Sequence, residues 1–139
     1  MRAKRRGVLL LALLVAGACL PAQAAGRWIA ESQTPTLRQQ GLRYESDRLS
    51  PDRDTPLAGE AITRVEWRYG FAGWRPRELR VRLCGGGRCI DAANAQGQSM
   101  AFAGLPVATA FRFEFLLDGP PAARAPLEGR ALSLMVNFR

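Results

Sequence analysis

Four stretches of this chain alternate apolar and polar residues with a period of two. That period belongs to extended backbone, in which successive side chains point to opposite faces of a sheet. In residues 62–69, Val65, Trp67 and Tyr69 share one face while Arg64, Glu66 and Arg68 take the other. Residues 79–83 set Leu79, Val81 and Leu83 against Arg80 and Arg82. Phe111, Phe113 and Phe115 alternate with Arg112 and Glu114, and Leu132, Leu134, Val136 and Phe138 alternate with Ser133 and Asn137. Each stretch reads as a strand with one buried face.

Weaker strand signals lie at residues 27–32, 37–44, 89–92 and 99–102, bounded by Gly, Pro, Asn or Asp. Pro51, Pro56, Pro106, Pro120, Pro121 and Pro126 punctuate the connections and block any long helix there. Short antiparallel strands with one apolar face each must cover those faces against one another. The predicted fold is therefore an all-β, single-domain antiparallel sandwich of seven or eight strands, with a small closed β-barrel as the alternative.

The N-terminus has a different character. Met1-Arg2-Ala3-Lys4-Arg5-Arg6 is basic, Gly7 to Leu20 is apolar, and Ala22-Gln23-Ala24 supplies small residues for cleavage. Together they read as a secretory signal peptide over residues 1–24, leaving residues 25–139 as one domain of ordinary size. The apolar run of 14 residues falls short of the roughly 20 needed to span a bilayer core. No later segment is long or apolar enough to do so, and the expected product is soluble and exported. Cys19, after Ala16-Gly17-Ala18, loosely resembles a lipoprotein acylation site. Because Ala16 stands where such sites usually carry Leu, lipidation at Cys19 is the less favoured outcome.

Composition then removes function classes. The chain has no histidine, and its single lysine, Lys4, lies in the leader. Ser-His-Asp and Cys-His catalysis, His-ligated zinc and lysine Schiff bases are excluded. Carboxylate chemistry survives in principle, but it needs two acids facing across a cleft, and the 12 acids are scattered without a singled-out pair. No catalytic, cofactor-binding or metal-binding residue emerges, and no small-molecule substrate is implied. Losing the leader removes four of 20 basic residues and none of the acidic ones, so the net charge drops to +4. The remaining arginines are interleaved with Glu and Asp, which argues against nucleic-acid binding.

Cys84 and Cys89 are the only cysteines after the leader. An even count in an exported chain favours a disulfide, and Gly85-Gly86-Gly87-Arg88 permits the tight turn that would join two strand ends. A structural bond pinning a hairpin is preferred over a redox pair, because redox motifs usually separate their cysteines by two residues at a helix N-terminus.

Several segments are candidates for binding a partner. Residues 70–78 join two strong strands and set Phe71 and Trp74 beside Arg75 and Arg77. Aromatic and arginine side chains are enriched in interfaces because one supplies area and the other directed hydrogen bonds. The more conservative and favoured reading folds Trp74 back to cap the open end of the sandwich. Trp28 reads as core. The C-terminal strand, residues 131–139, would expose Asn137, Phe138 and Arg139 to an incoming strand if it lies at a sheet edge; a mid-sheet position is equally compatible. Arg64, Arg68, Arg80 and Arg82 would form a basic stripe with Glu66 set into it if their two consecutive strands pair, although a solvated face is the safer reading.

With these residues in place the chain resembles the FlhE family of periplasmic flagellar accessory proteins. The resemblance is carried by Val65-Glu66-Trp67-Arg68-Tyr69, by Leu79-Arg80-Val81-Arg82-Leu83-Cys84 with Arg88-Cys89, by Phe102-Ala103-Gly104-Leu105-Pro106, and by the closing Val136-Asn137-Phe138-Arg139. It weakens over residues 39–57, and Phe138 stands where the family pattern has tyrosine. The resemblance implies a β-sandwich in the periplasm with a non-enzymatic role, binding flagellar rod, hook or basal-body proteins. It would safeguard flagellar export and assembly by chaperoning axial subunits or limiting proton leakage through the export gate. The resemblance implies no cofactor and no catalytic residues. A second expectation is a periplasmic inhibitor of a hydrolase that inserts the rigid loop at residues 71–78. A carboxylate hydrolase is the third.

Overall fold

All four strong alternations become strands. The computed structural model describes residues 25–59, 61–119 and 126–139; the signal peptide expected at residues 1–24, with Cys19, and Pro120 and Pro121 lie outside them. In chain order the strands are β1 (Gly26–Gln33), β2 (Arg43–Glu45), β3 (Ile62–Arg68), β4 (Leu79–Gly85), β5 (Arg88–Asp91), β6 (Gln96–Ser99), β7 (Phe111–Leu117) and β8 (Ala131–Phe138). They form two four-stranded antiparallel sheets, ordered β1-β8-β3-β6 and β2-β7-β4-β5. The result is an all-β sandwich and not a closed barrel, with no helix among the described residues.

In β3, β4, β7 and β8 the buried phase is the apolar phase. Phe111, Phe113, Phe115 and Leu117 of β7 face Val65 and Trp67 of β3 and Leu132, Leu134 and Val136 of β8 in one core. Aromatic rings meet edge to face within it: Phe102 and Phe111 lie 5.0 Å apart at 83°, Tyr69 and Phe115 5.4 Å apart at 82°. This geometry sets the positive ring edge against a negative ring face. The two buried tryptophans keep their N–H groups bonded. Trp28 donates to the Val107 carbonyl (2.7 Å) and Trp67 to that of Asn94 (2.9 Å). The Trp67 indole lies over Gly97 of β6, where a Cβ would occupy the ring's place.

The weak strand signals needed adjustment. From residues 37–44 only Arg43 and Tyr44 enter a strand, while Leu37 makes an isolated bridge to Leu127. A turn through Gly41 (φ +71°) breaks the run, and the Tyr44 hydroxyl accepts the amides of Arg38 and Gln39, both at 3.1 Å. Near residue 99 the strand lies earlier than predicted. Residues 100–105 turn through Gly104 (φ +88°) so that Phe102 plugs the core, fully buried.

Two points that the sequence left open are decided. The C-terminal strand is not an edge: β8 lies between β1 and β3, paired with β1 along its full length. Its inward side chains Leu132, Leu134, Val136 and Phe138 are all buried, and a central place covers both of its backbone edges. The consecutive strands β3 and β4 do not pair, because the long connection between them crosses from one sheet to the other. Arg64 and Arg68 therefore belong to one outer face and Arg80 and Arg82 to the opposite one. No joint basic stripe forms.

Cys84 and Cys89 are bonded and directly opposed across β4 and β5. The turn runs through Gly86 (φ +56°) and Gly87 (φ +76°), the left-handed pair that suits a two-residue hairpin. Replacing Phe113 by Ala should cost about 3–5 kcal/mol in chemical denaturation, as expected for a ring removed from a packed core. The double variant Cys84→Ala/Cys89→Ala should cost only about 2 kcal/mol, because so short a loop constrains the unfolded chain little.

Candidate protein-binding site

The connection between β3 and β4 is built outward from Tyr69. One residue past β3, Tyr69 is buried, and its hydroxyl donates to the carbonyl of Ala92 (2.6 Å), with Ala93 at 3.1 Å. Burial pushes this hydroxyl up to about 12, although the Arg75 guanidinium beside it pulls the other way. At neutral pH it is therefore a firm donor. Arg75 stacks on the ring, its guanidinium carbon 5.6 Å from the centroid, an attraction between the cation and the ring face.

Phe71 forms the other foot of the loop. It packs edge-on against Phe115 (5.8 Å, 87°) and Tyr69 (6.4 Å, 75°), and its backbone bridges to Gly129. Ala72 donates to the Glu128 carbonyl and Arg130 to that of Gly70, each at 2.8 Å. Gly129 is required at this close approach, since a Cβ there would run into the Thr34 backbone.

Between these anchors Gly73 turns the chain with φ +78°, and Trp74 projects into solvent with 64% of its surface exposed. The expected cap is thus overturned. Phe71 and the Arg75–Tyr69 stack already occupy the end of the sandwich, leaving the indole no apolar slot. Arg77 is exposed three residues on, after the buried Pro76. Phe71, Trp74, Arg75 and Arg77 consequently divide into two anchors and two outward groups.

The remaining candidates lie elsewhere. Arg80 and Arg82 are on the outer face of the second sheet, each beside an acid: Arg80 lies 3.4 Å from Asp118, and the Arg82 Nε donates to Glu114 at 3.1 Å. Exposed pairs of this kind contribute little energy, but they neutralise the patch. Phe138 is core, only 3% exposed, packed over Gly26 and Gly59, and so offers no contact surface. Asn137 is half-buried and donates to Glu66 (3.3 Å), which also pairs with Arg64 (2.7 Å). Arg139 has an exposed side chain, while its backbone exchanges two hydrogen bonds with Ala61.

On the outer face of the first sheet, sequence reading singled out Arg64, Glu66 and Arg68 but passed over Ile29, Glu31 and Met135. Ile29 is 49% exposed and, with the half-buried Met135, lines a depression of about 260 Å³ beside Glu31, Glu66 and Arg68. The signal was present: once Trp28 is taken as inward, Arg27, Ile29 and Glu31 must point out. Glu31 and Glu66 stand two strands apart here, and Glu66 is already held by Arg64 and Asn137. Among the described residues no three Cys, Asp or Glu side chains gather as a metal set.

Comparison with known proteins agrees with this architecture. The family model described as Flagellar protein FlhE matches residues 34–139. Flagellar protein FlhE of Escherichia coli K12 is 35% identical over 130 residues, spanning 94% of this chain and 98% of that one. That of Salmonella typhimurium is 33% identical, spanning 93% and 97%. A solved crystal structure of FlhE superposes with a TM-score of 0.74 at 31% identity, covering 83% of this chain and 97% of the other.

Tyr69 gives the site a signature in alkali. Its folded value lies above the ordinary value of 10.0, so the stabilisation is complete below pH 10 and is lost as pH climbs through about 12. Unfolding measured from pH 9 to 12 should show a decline of about 2 kcal/mol that is absent in Tyr69→Phe.

Proposed function

Because this chain belongs to the FlhE family of flagellar proteins, we propose that it is a periplasmic accessory factor that binds a rod, hook or basal-body protein during flagellar assembly. The leader at residues 1–24 would deliver it to that compartment. Its action is non-enzymatic and depends on shape, in keeping with a sequence that has no histidine and a single lysine within the leader. Chaperoning of axial subunits and restraint of proton leakage at the export gate are the two forms this role would take. Both require a protein contact.

The observation that carries the reading is Trp74, 64% exposed on a loop whose neighbours are fastened. Tryptophan dominates the energetics of many interfaces because one flat side chain removes a large apolar area from water. Phe71 and Arg75 hold the loop in place before binding, so docking costs little ordering of the backbone. Arg77 adds a rim cation able to steer an acidic partner.

Pull-down from a periplasmic extract tests the proposal. The wild-type protein should capture a rod, hook or basal-body component, and Trp74→Ala should weaken that capture at least about tenfold with an unchanged unfolding midpoint. Retrieval of none of these components, or equal retrieval by Trp74→Ala, would overturn it. Retrieval of a hydrolase that is inhibited by the wild type and spared by Trp74→Ala would instead identify the loop as an inhibitory element.

A further inference from the structure

We propose that β1 pairs antiparallel with β1 of a second copy of this chain, joining two first sheets into one continuous eight-stranded sheet. The inference goes beyond the loop-mediated reading above and does not depend on it.

The four sheet edges are unequal. β2, β5 and β6 have three, four and four residues, whereas β1 has eight. Long flat edges are usually blunted by proline, lysine or a bulge. β1 has none of these, and its register with β8 is unbroken from Gly26 to Gln33. Its open side can be assigned from bonding parity. Arg139 and Ala61 exchange both backbone bonds, so alternate residues of β8 counted from Arg139 face β3, and Leu132, Leu134 and Val136 face β1. Ser32, Ala30 and Trp28 therefore bond inside the sheet. Arg27, Ile29 and Glu31 direct their N–H and C=O groups away from it, and among the described residues no backbone group answers them.

The side chains of those same three residues are exposed on the outer face. They read cation, aliphatic, anion at two-residue steps, a pattern that is complementary to itself when reversed. Setting Ile29 opposite Ile29 of the partner subunit places Arg27 opposite the partner subunit's Glu31, and Glu31 opposite the partner subunit's Arg27. Opposite charges and matched aliphatic side chains directly across a strand pair are favourable, and like charges are not. A slip of two residues either way sets Ile29 against a charge, so the register selects itself. The arrangement is two-fold symmetric and closed, as an isologous dimer must be. It also conceals the one long edge left open among the described residues.

Sedimentation equilibrium on the secreted, processed protein should return twice the chain mass at about 100 µM, with Arg27→Glu and Glu31→Arg each weakening association about tenfold or more. The double exchange Arg27→Glu/Glu31→Arg restores both pairs and should restore the dimer, a result that misfolding cannot produce. Ile29→Cys should form a disulfide-linked dimer on mild oxidation, because hydrogen-bonded partners lie about 5.5 Å apart at Cα. A monomer at every concentration, a dimer insensitive to the single reversals, or failure of the double exchange to restore it would each overturn the proposal. So would capture of a foreign strand on β1 without self-association.

Discussion

The contact between the aromatic face of β7 and the inward side chains of β3 and β8 is the constraint on which the rest of this structure depends. Phe111, Phe113 and Phe115 are buried completely, and Phe102 and Tyr69 lock onto them edge to face. Neither sheet could hide its apolar side without the other, since a four-stranded sheet has two faces and water covers one. The ring geometry adds direction to that burial, fixing where the chain must leave each strand. Tyr69 is the clearest case. Its ring belongs to the core, its hydroxyl holds the carbonyls of Ala92 and Ala93, and its outer face receives Arg75.

The exposed tryptophan is a consequence of that core. Phe71 takes the place against Phe115 that an end-capping indole would need, and Gly73 then turns the backbone outward. An apolar side chain of this size left in water is costly. A loop that could relax would bury it, and the ladder of contacts to residues 128–130 prevents that relaxation. The stiffness comes from backbone bonding to a neighbouring segment, and the exposed side chain is what that stiffness displays.

The edges show a related division of labour. The C-terminal strand takes the centre of the first sheet, where both of its edges are covered, and Phe138 closes the core against Gly26 and Gly59. The N-terminal strand is left at the rim. On the second sheet, β5 is short and tied to β4 through Cys84–Cys89, and the outer face carries alternating Arg and acid pairs across the strands. That face presents no net patch for a charged partner.

Cysteine count and the glycines between Cys84 and Cys89 pointed to their meeting across a turn, and period-two alternation determined, with no tertiary information, that the chain is all-β and which residues of 62–69, 79–83, 111–115 and 132–138 turn inward. These follow from local geometry, because the direction of each side chain in a strand depends only on its position. The same rule, started from an inward Trp28, also turns Ile29 and Glu31 outward, a step the sequence reading did not take. Strand order was not legible, since any strand with one apolar face can sit beside any other. For that reason the sequence left open whether Arg64, Arg68, Arg80 and Arg82 share a stripe or lie on separate solvated faces, and whether the last strand takes an edge or a central place; the sheet order decides both. The fate of Trp74 was likewise a tertiary decision. Whether an indole caps a core or faces water depends on which ring the tertiary contacts hold in the shared space, and that competitor, Phe71, is positioned by residues nearly 60 places further along the chain, at Glu128 and Gly129.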